Sequence, residues 1–300
     1  MGGVLGAFTF DGEGTPKDRL LTALIILTVA FLLSLAAVFL PYGRLIGVAW
    51  GFSIVGMSSL EVARLLSRDP VTTRYLPIRG TLSFLTLVLP AMAVTLSSIE
   101  WIGTGTLELS KAYIAIAVSA LLATTTQVWI GRSELERASR EGERFAPAFI
   151  LVSLCGSQLI PVAAHYRGIQ ILWWVIGTVA INDAAAYFIG RKFGAHKLAP
   201  ALSPNKSIEG SIAGIVFGLL FGVCMWDLLV KLPISVTSLT LMTACVIVSA
   251  QAADLSKSYI KRLCGVKDTG AFFPGHGGVL DRFDGAIGAA PVVFFWIFFL

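Results

Sequence analysis

The chain has 300 residues, of which 56% are hydrophobic and only 14% charged. A soluble domain carries about a quarter charged residues, so this composition excludes an ordinary soluble globule and points to a polytopic membrane protein. The net charge of +5 lies in short loops and forms no basic domain, which excludes a nucleic-acid binder and assigns the charge to membrane topology.

Residues 1–16 are Gly-rich and polar, a lead-in to the first apolar run. Runs long enough to cross a hydrocarbon core of about 30 Å follow at about 20–40, 45–65, 80–98, 112–131, 147–164, 170–190, 210–230, 236–255 and 285–300. The first is too long for a signal-peptide core and no small-x-small cleavage site follows it, so it reads as an uncleaved span. With a cytoplasmic N-terminus, nineteen of the 23 Lys and Arg fall in inside segments; only Arg44, Lys111, Arg167 and Lys231 fall outside. The positive-inside rule therefore favours N-inside, C-outside. The expected fold is an all-α polytopic membrane protein of about nine transmembrane helices. It divides into residues 1–170, with about five helices, and a catalytic region 171–300 with cytoplasmic loops 191–209 and 256–284.

Within that frame, the segment 132–144 pairs Glu136 with Arg140 and Arg137 with Glu141 at i,i+4 and reads as a solvated helical connector. Pro90 sits mid-span, where a kink is the ordinary consequence. Cys155, Cys224, Cys245 and Cys264 show no CxxC or Cys/His spacing, so neither a disulfide nor a zinc site is expected. Glu61, one turn from Arg64, reads as a snorkelling ion pair, and His165 and His196 as surface residues.

The densest polar chemistry runs from Asp254 to Asp284, between two very apolar runs, and reads as the active site. Asp281 and Asp284 are three residues apart and share one helical face if the last span begins just after Gly277-Gly278. An N-cap role explains one of these aspartates, though not both together with Asp254, which sits at the same depth. Like charges about 4 Å apart repel by about 4 kcal/mol at an effective dielectric of 20, so three carboxylates need cations. Hard oxygen donors suit Mg²⁺ better than zinc, and the spacing favours a metal site over an Asp/Arg ion-pair network. Lys261, Arg262, Lys267 and Arg282 beside the carboxylates suit phosphate oxygens. His276 reads as a base, a ligand or a hydrogen-bonded loop residue. Asn182 and Asp183 lie about two turns before the end of the sixth span, where an ionisable group is a functional candidate. The loop behind them carries Arg191, Lys206, Ser207 and Glu209 and is neither a P-loop nor a GxGxxG.

Ser258-Tyr-Ile-Lys261-Arg262, Lys267-Asp268 and Pro274-Gly-His276-Gly277-Gly278-Val-Leu-Asp281-Arg282-Phe-Asp284 together resemble the motif of the phosphatidate cytidylyltransferase, or CDP-diacylglycerol synthase, family. Asn182-Asp183 with Tyr187-Phe188-Ile-Gly190-Arg191, and Ser203-Pro204-Asn-Lys206-Ser207-Ile-Glu209-Gly210, resemble two further blocks of that family. Ala252-Ala253 stand where the family usually has a glycine, and Ser207-Ile208 where it has Thr-Trp.

The resemblance implies CTP plus phosphatidate giving CDP-diacylglycerol and pyrophosphate, with a divalent metal such as Mg²⁺ and K⁺ as a second cation. It implies Asp254, Asp281 and Asp284 as metal ligands, with Lys267, Asp268 and His276 beside them in catalysis. Substrate contacts are expected from Asn182, Asp183, Arg191, Lys206, Ser207, Glu209, Ser258, Lys261, Arg262, Gly277, Gly278 and Arg282. A homodimer in the cytoplasmic membrane, its site facing the cytoplasm, completes the expectation. The competing readings are a CTP-dependent polyprenol kinase, a related lipid nucleotidyltransferase using an archaeal ether lipid, and a secondary transporter coupled through Glu61, Asp183 and Asp254. The transporter requires acids near the midplane and internal repeats, neither of which is evident.

Overall fold

The computed structural model describes residues 42–67, 76–107, 135–266, 268–270, 272 and 277–300, with scattered positions between 28 and 40 and between 110 and 125. Its helices are α1 (Gly43–Ser67), α2 (Leu76–Thr104), α3 (Leu135–Ala148), α4 (Leu159–Ala164), α5 (Gly168–Phe193), α6 (Ile208–Leu229), α7 (Val236–Leu263) and α8 (Val279–Phe299). A π-helical stretch, Phe149–Cys155, carries α3 on toward α4. Among the described residues, seven stretches are long and apolar enough to cross a membrane, α3 to α4 forming one of them. The fold is thus multi-span and helical, and these seven coincide with seven of the expected nine. The runs 20–40 and 112–131 lie mostly outside the described residues.

The sequence-based reading missed a two-stranded antiparallel hairpin, β1 (Lys197–Ala199) and β2 (Ser203–Ser207), with Lys197 opposite Ser207. Pro200 and Pro204 and the lack of alternating apolar residues hid it. The Glu209 carboxylate fastens the hairpin to α6, accepting from the His196 backbone N–H at 3.2 Å and meeting His196 Nδ1 at 2.6 Å. The Ser207 hydroxyl caps α6 by accepting from the Gly210 N–H at 3.1 Å.

Buried side chains from both halves form one core, including Leu87, Ile160, Trp174, Met242 and Ile287. Helices α5 and α6 pack back to back along glycines at every fourth position of α6, Gly210, Gly214, Gly218 and Gly222, all buried. Small residues at this spacing let two backbones approach closely in lipid. Trp174 Nε1 reaches across to donate to the Gly222 carbonyl at 2.7 Å, and its ring meets Trp226 edge-on. A Cβ on Gly214 would lie 2.8 Å from the Asn182 carbonyl oxygen. Gly214→Ala is therefore expected to cost about 1–3 kcal/mol, the usual scale of overpacking. Thermal unfolding in detergent checks this against Gly56→Ala, where an added Cβ meets no atom within 4 Å.

Helix α2 and the α3–α4 span run in the same direction, both ending at Arg44. Glu61, Asp254 and Asp281 share one end of the bundle, while Arg44 meets Ala164 at the other.

Candidate functional site

Helix α7 presents Asp254, Lys257 and Lys261 at i, i+3 and i+7, one face of a helix. Helix α8 begins directly after Gly278, so Asp281 and Asp284 fall in its first two turns. The two faces meet, and Lys257 stands between them. Its Nζ is 2.9 Å from Asp254 Oδ1, 2.6 Å from Asp284 Oδ2 and 3.9 Å from Asp281 Oδ1. Lys206, carried over by β2, pairs with the other oxygen of Asp254. Lys261 donates to Asp281 Oδ1 at 2.9 Å. Three aspartates thus face three lysines. The Lys257 side chain is only 9% exposed and the Asp284 side chain 12%, so the charges are held in a poorly solvated setting where pairing is obligatory.

The family resemblance implied all three aspartates as metal ligands; in this arrangement each of them meets a lysine. Among the described residues, no three His, Cys, Asp or Glu side chains gather as a metal-binding group. The carboxylates need cations, as their spacing required, and lysines provide them here. Asp281 is committed elsewhere: its Oδ2 accepts from the Thr269 N–H at 2.8 Å, the Thr269 hydroxyl at 2.9 Å and the Gly278 N–H at 3.2 Å. It closes the start of α8 and ties down the segment around Thr269, the capping role weighed for one aspartate. Asp254 and Asp284 are a different case. Their carboxylates converge on one point, now filled by the Lys257 ammonium, which lies 2.9 Å from Asp254 Oδ1 and 2.6 Å from the buried Asp284 Oδ2. These two hard oxygen donors fit a divalent cation, while the Asp281 oxygens here meet Lys261, Thr269 and Gly278.

Glu61 is the residue whose role the sequence concealed. It is buried on α1 and, among the described residues, makes no ion pair with Arg64: Oε1 accepts from the Val279 N–H at 2.7 Å and Oε2 from the Leu280 N–H at 3.0 Å. The Thr269 hydroxyl lies 3.4 Å from Oε2. Glu61 therefore caps α8 from another helix, satisfying two N–H groups that have no intrahelical partner. Gly277 and Gly278 permit this approach. Gly277 has φ +81°, and a Cβ on Gly278 would come within 2.6 Å of the Thr269 hydroxyl.

A cavity of about 230 Å³ opens beside Asp254, lined by Asn182, Asp183, Tyr187, Lys206, Ser211 and Gln251, among others. Gln251, absent from the sequence-based candidates, organises its floor. Its Nε2 donates to Asn182 Oδ1 at 2.7 Å, its Oε1 accepts from the Ser211 hydroxyl, and Asn182 Nδ2 donates to Asp183 Oδ1 at 2.9 Å. An amide one turn before Asp254 on the same helix was the available signal.

The remaining candidates are placed less centrally. Arg191 is exposed and donates to the Tyr187 hydroxyl at 3.1 Å. Arg262 Nε donates to the Leu202 carbonyl at 3.3 Å and so braces the hairpin turn. Ser258 is half-buried on α7, and Asp268 and Arg282 are exposed. Ser207 and Glu209 act within the hairpin and the α6 cap. Lys267 and His276 lie outside the described residues.

The sequence model of the cytidylyltransferase family matches residues 17–300. The chain is similar to the phosphatidate cytidylyltransferase of Bacillus subtilis, 30% identical over 280 residues, which are 93% of this chain and 96% of that protein. It is also similar to the phosphatidate cytidylyltransferase of Brucella suis, 40% identical over 132 residues, 42% of this chain and 46% of that one. With that of Haemophilus influenzae it shares 36% identity over 138 residues, 45% of this chain and 48% of that one.

Proposed function

Since the chain belongs to the cytidylyltransferase family, we propose that it transfers the cytidylyl group of CTP to phosphatidate, giving CDP-diacylglycerol and pyrophosphate. The observation that carries this reading is the convergence of Asp254, Asp284 and Lys257 beside the cavity lined by Lys206, Asn182 and Asp183. A polar site at the helix ends suits a two-tailed lipid arriving from the bilayer and a nucleotide arriving from water. We place that end at the cytoplasmic face, where the positive-inside count puts it.

In the proposed step a phosphate oxygen of the lipid attacks the α-phosphorus of CTP. A new P–O bond forms as the bond to the β-phosphate oxygen breaks, and pyrophosphate carries away the electron pair. The nucleophile is already an anion, so the residues are not required to remove a proton. Their task is to bring two anions together in line, which depends on positioning and electrostatics. Lys206 reaches the cavity from the hairpin and supplies positive charge at its rim. Lys257 and Lys261 hold the carboxylates in register and offer ammonium groups to phosphate oxygens. Asn182 and Gln251 keep the cavity floor fixed through their shared hydrogen bond. A divalent cation, Mg²⁺ by the family resemblance, would be held by Asp254 and Asp284 and would neutralise nucleotide phosphate charge.

The test is product formation by purified protein from CTP, phosphatidate and Mg²⁺, with the lipid product and pyrophosphate both identified. Asp284→Asn is expected to lower turnover by about 10²–10³-fold, the scale for losing one preorganised electrostatic group. Product that survives Asp284→Asn would keep the reaction and remove Asp284 from it. Release of CDP rather than pyrophosphate would replace the transferase by the kinase.

A further inference from the structure

The end of the bundle away from the aspartates carries a second polar site that the proposed reaction does not use. Arg44 opens α1, and its Nε donates to the Ala164 carbonyl at 2.8 Å while its guanidinium carbon lies 4.5 Å over the Trp101 ring. These contacts fix the guanidinium plane and, among the described residues, occupy one of its five N–H groups. Arg44 lines a cavity of about 220 Å³ with His165, Tyr166, Arg167 and Gln170. No Asp or Glu is among the described residues lining it. His165 adds no charge at neutral pH: burial, then the nearby Arg44, push its imidazole down to about 4. Its Nδ1 accepts from the Arg167 N–H at 3.2 Å, which leaves the proton on Nε2 as a donor. Gly168 and Ile169, the first residues of the 26-residue helix α5, also line the cavity. The positive end of that helix dipole therefore adds to the two arginines.

Directly beside this cavity lies an apolar one of about 320 Å³, lined by Ser34, Leu35, Val38, Ile169, Gln170 and Trp173. The two share Val38, Ile169 and Gln170. Trp173 Nε1 donates to the Ser34 hydroxyl at 2.8 Å, so the indole satisfies its one polar atom and presents carbon to the groove. A cationic cavity continuous with an apolar groove matches a ligand with an anionic head and a hydrocarbon tail. We propose that this end of the bundle binds an anionic glycerophospholipid. Its phosphate sits on Arg44, Arg167 and the start of α5, and one acyl chain lies along Leu35, Val38 and Trp173. The site is separate from the reaction site: Asn182 is fourteen residues further along α5, roughly 20 Å at 1.5 Å per residue.

Binding is read by quenching of tryptophan fluorescence in detergent-solubilised full-length protein, using phosphatidylglycerol with brominated acyl chains. Brominated phosphatidylcholine is the zwitterionic control, and Trp173→Phe identifies the relevant part of the signal. The expected result is quenching by phosphatidylglycerol that is lost in Trp173→Phe and is at least about tenfold tighter than for phosphatidylcholine, the ratio for one good charge-assisted contact. Arg167→Gln should bring the two lipids to within about twofold of each other, since it removes the charge and keeps the backbone bond to His165. That variant stays informative if Arg44→Gln, which cuts the tie to Ala164, fails to fold. Equal quenching by both lipids in wild type would overturn the proposal in favour of ordinary boundary lipid. Competition by soluble glycerol phosphate at the same concentration as the lipid would overturn the role of the groove. Neither readout involves turnover, so the proposal stands or falls apart from the proposed reaction.

Discussion

Lys257→Met is expected to abolish product formation and to destabilise the protein by about 3–5 kcal/mol, the scale for removing one partner from a buried ionic group. The lysine is buried, and its ammonium contacts two carboxylates at once, Asp254 at 2.9 Å and Asp284 at 2.6 Å. Methionine fills a similar volume but leaves Asp284 with no counter-charge in contact among the described residues, while Asp254 retains Lys206. The loss should therefore fall mainly on the geometry of α8. Divalent cation separates two accounts of the cluster. If Asp254 and Asp284 together can hold such an ion, Mg²⁺ at millimolar concentration should raise the melting temperature of Lys257→Met more than that of wild type, by the linkage between binding and folding. If Mg²⁺ stabilises neither protein, the cluster is an ion-pair network that orders the helix ends. Asp254 and Asp284 would then lose their place as cation ligands. Circular dichroism melts in detergent, with and without chelator, give the answer directly.

Much of this architecture is legible in the chain, for identifiable reasons. Each described span follows from an apolar run, because a helix in lipid must satisfy its backbone within itself and few alternatives exist. The start of α8 follows from Gly277-Gly278 and the three-residue step between Asp281 and Asp284, both local signals. What escaped is non-local or lacks a periodic signature. The partners of Glu61 are 218 and 219 residues away, while Arg64 is a single turn distant, so the local pairing looked sufficient. Lys257 is absent from the expected site residues: its i,i+3 relation to Asp254 is readable, whereas its contact with Asp284 exists only once α7 and α8 pack. The hairpin carrying Lys206 is two short strands in a Pro-containing polar loop, with nothing alternating to read. The glycines of α6 were legible at their four-residue step and were not used.

Glu61→Ala is expected to lower stability by about 2–4 kcal/mol, because it strands two backbone N–H groups that the fold has removed from water. Val279 and Leu280, which own those groups, are 2% and 0% exposed, so solvent cannot replace the carboxylate. Glu61→Gln should be milder but still harmful: its single amide oxygen can accept, while its NH₂ would face a donor. Turnover should fall with stability in both, since the first turns of α8 hold Asp281 and Asp284 in place. Arg64→Gln is the decisive companion. If Glu61 and Arg64 served each other as a surface ion pair, either change would cost about 0–1 kcal/mol, and the two costs would be similar. If Glu61 caps α8, Arg64→Gln leaves melting temperature and turnover near wild type while Glu61→Ala does not. The Thr269 hydroxyl lies between the Glu61 and Asp281 carboxylates, at 3.4 and 2.9 Å, so the two acids share a partner. The double variant Glu61→Ala/Asp281→Asn should therefore cost less than the sum of the single changes, by about 0.5–3 kcal/mol. Strict additivity in that cycle would mean that the cap and the aspartate act independently, and α1 would lose its part in shaping the site.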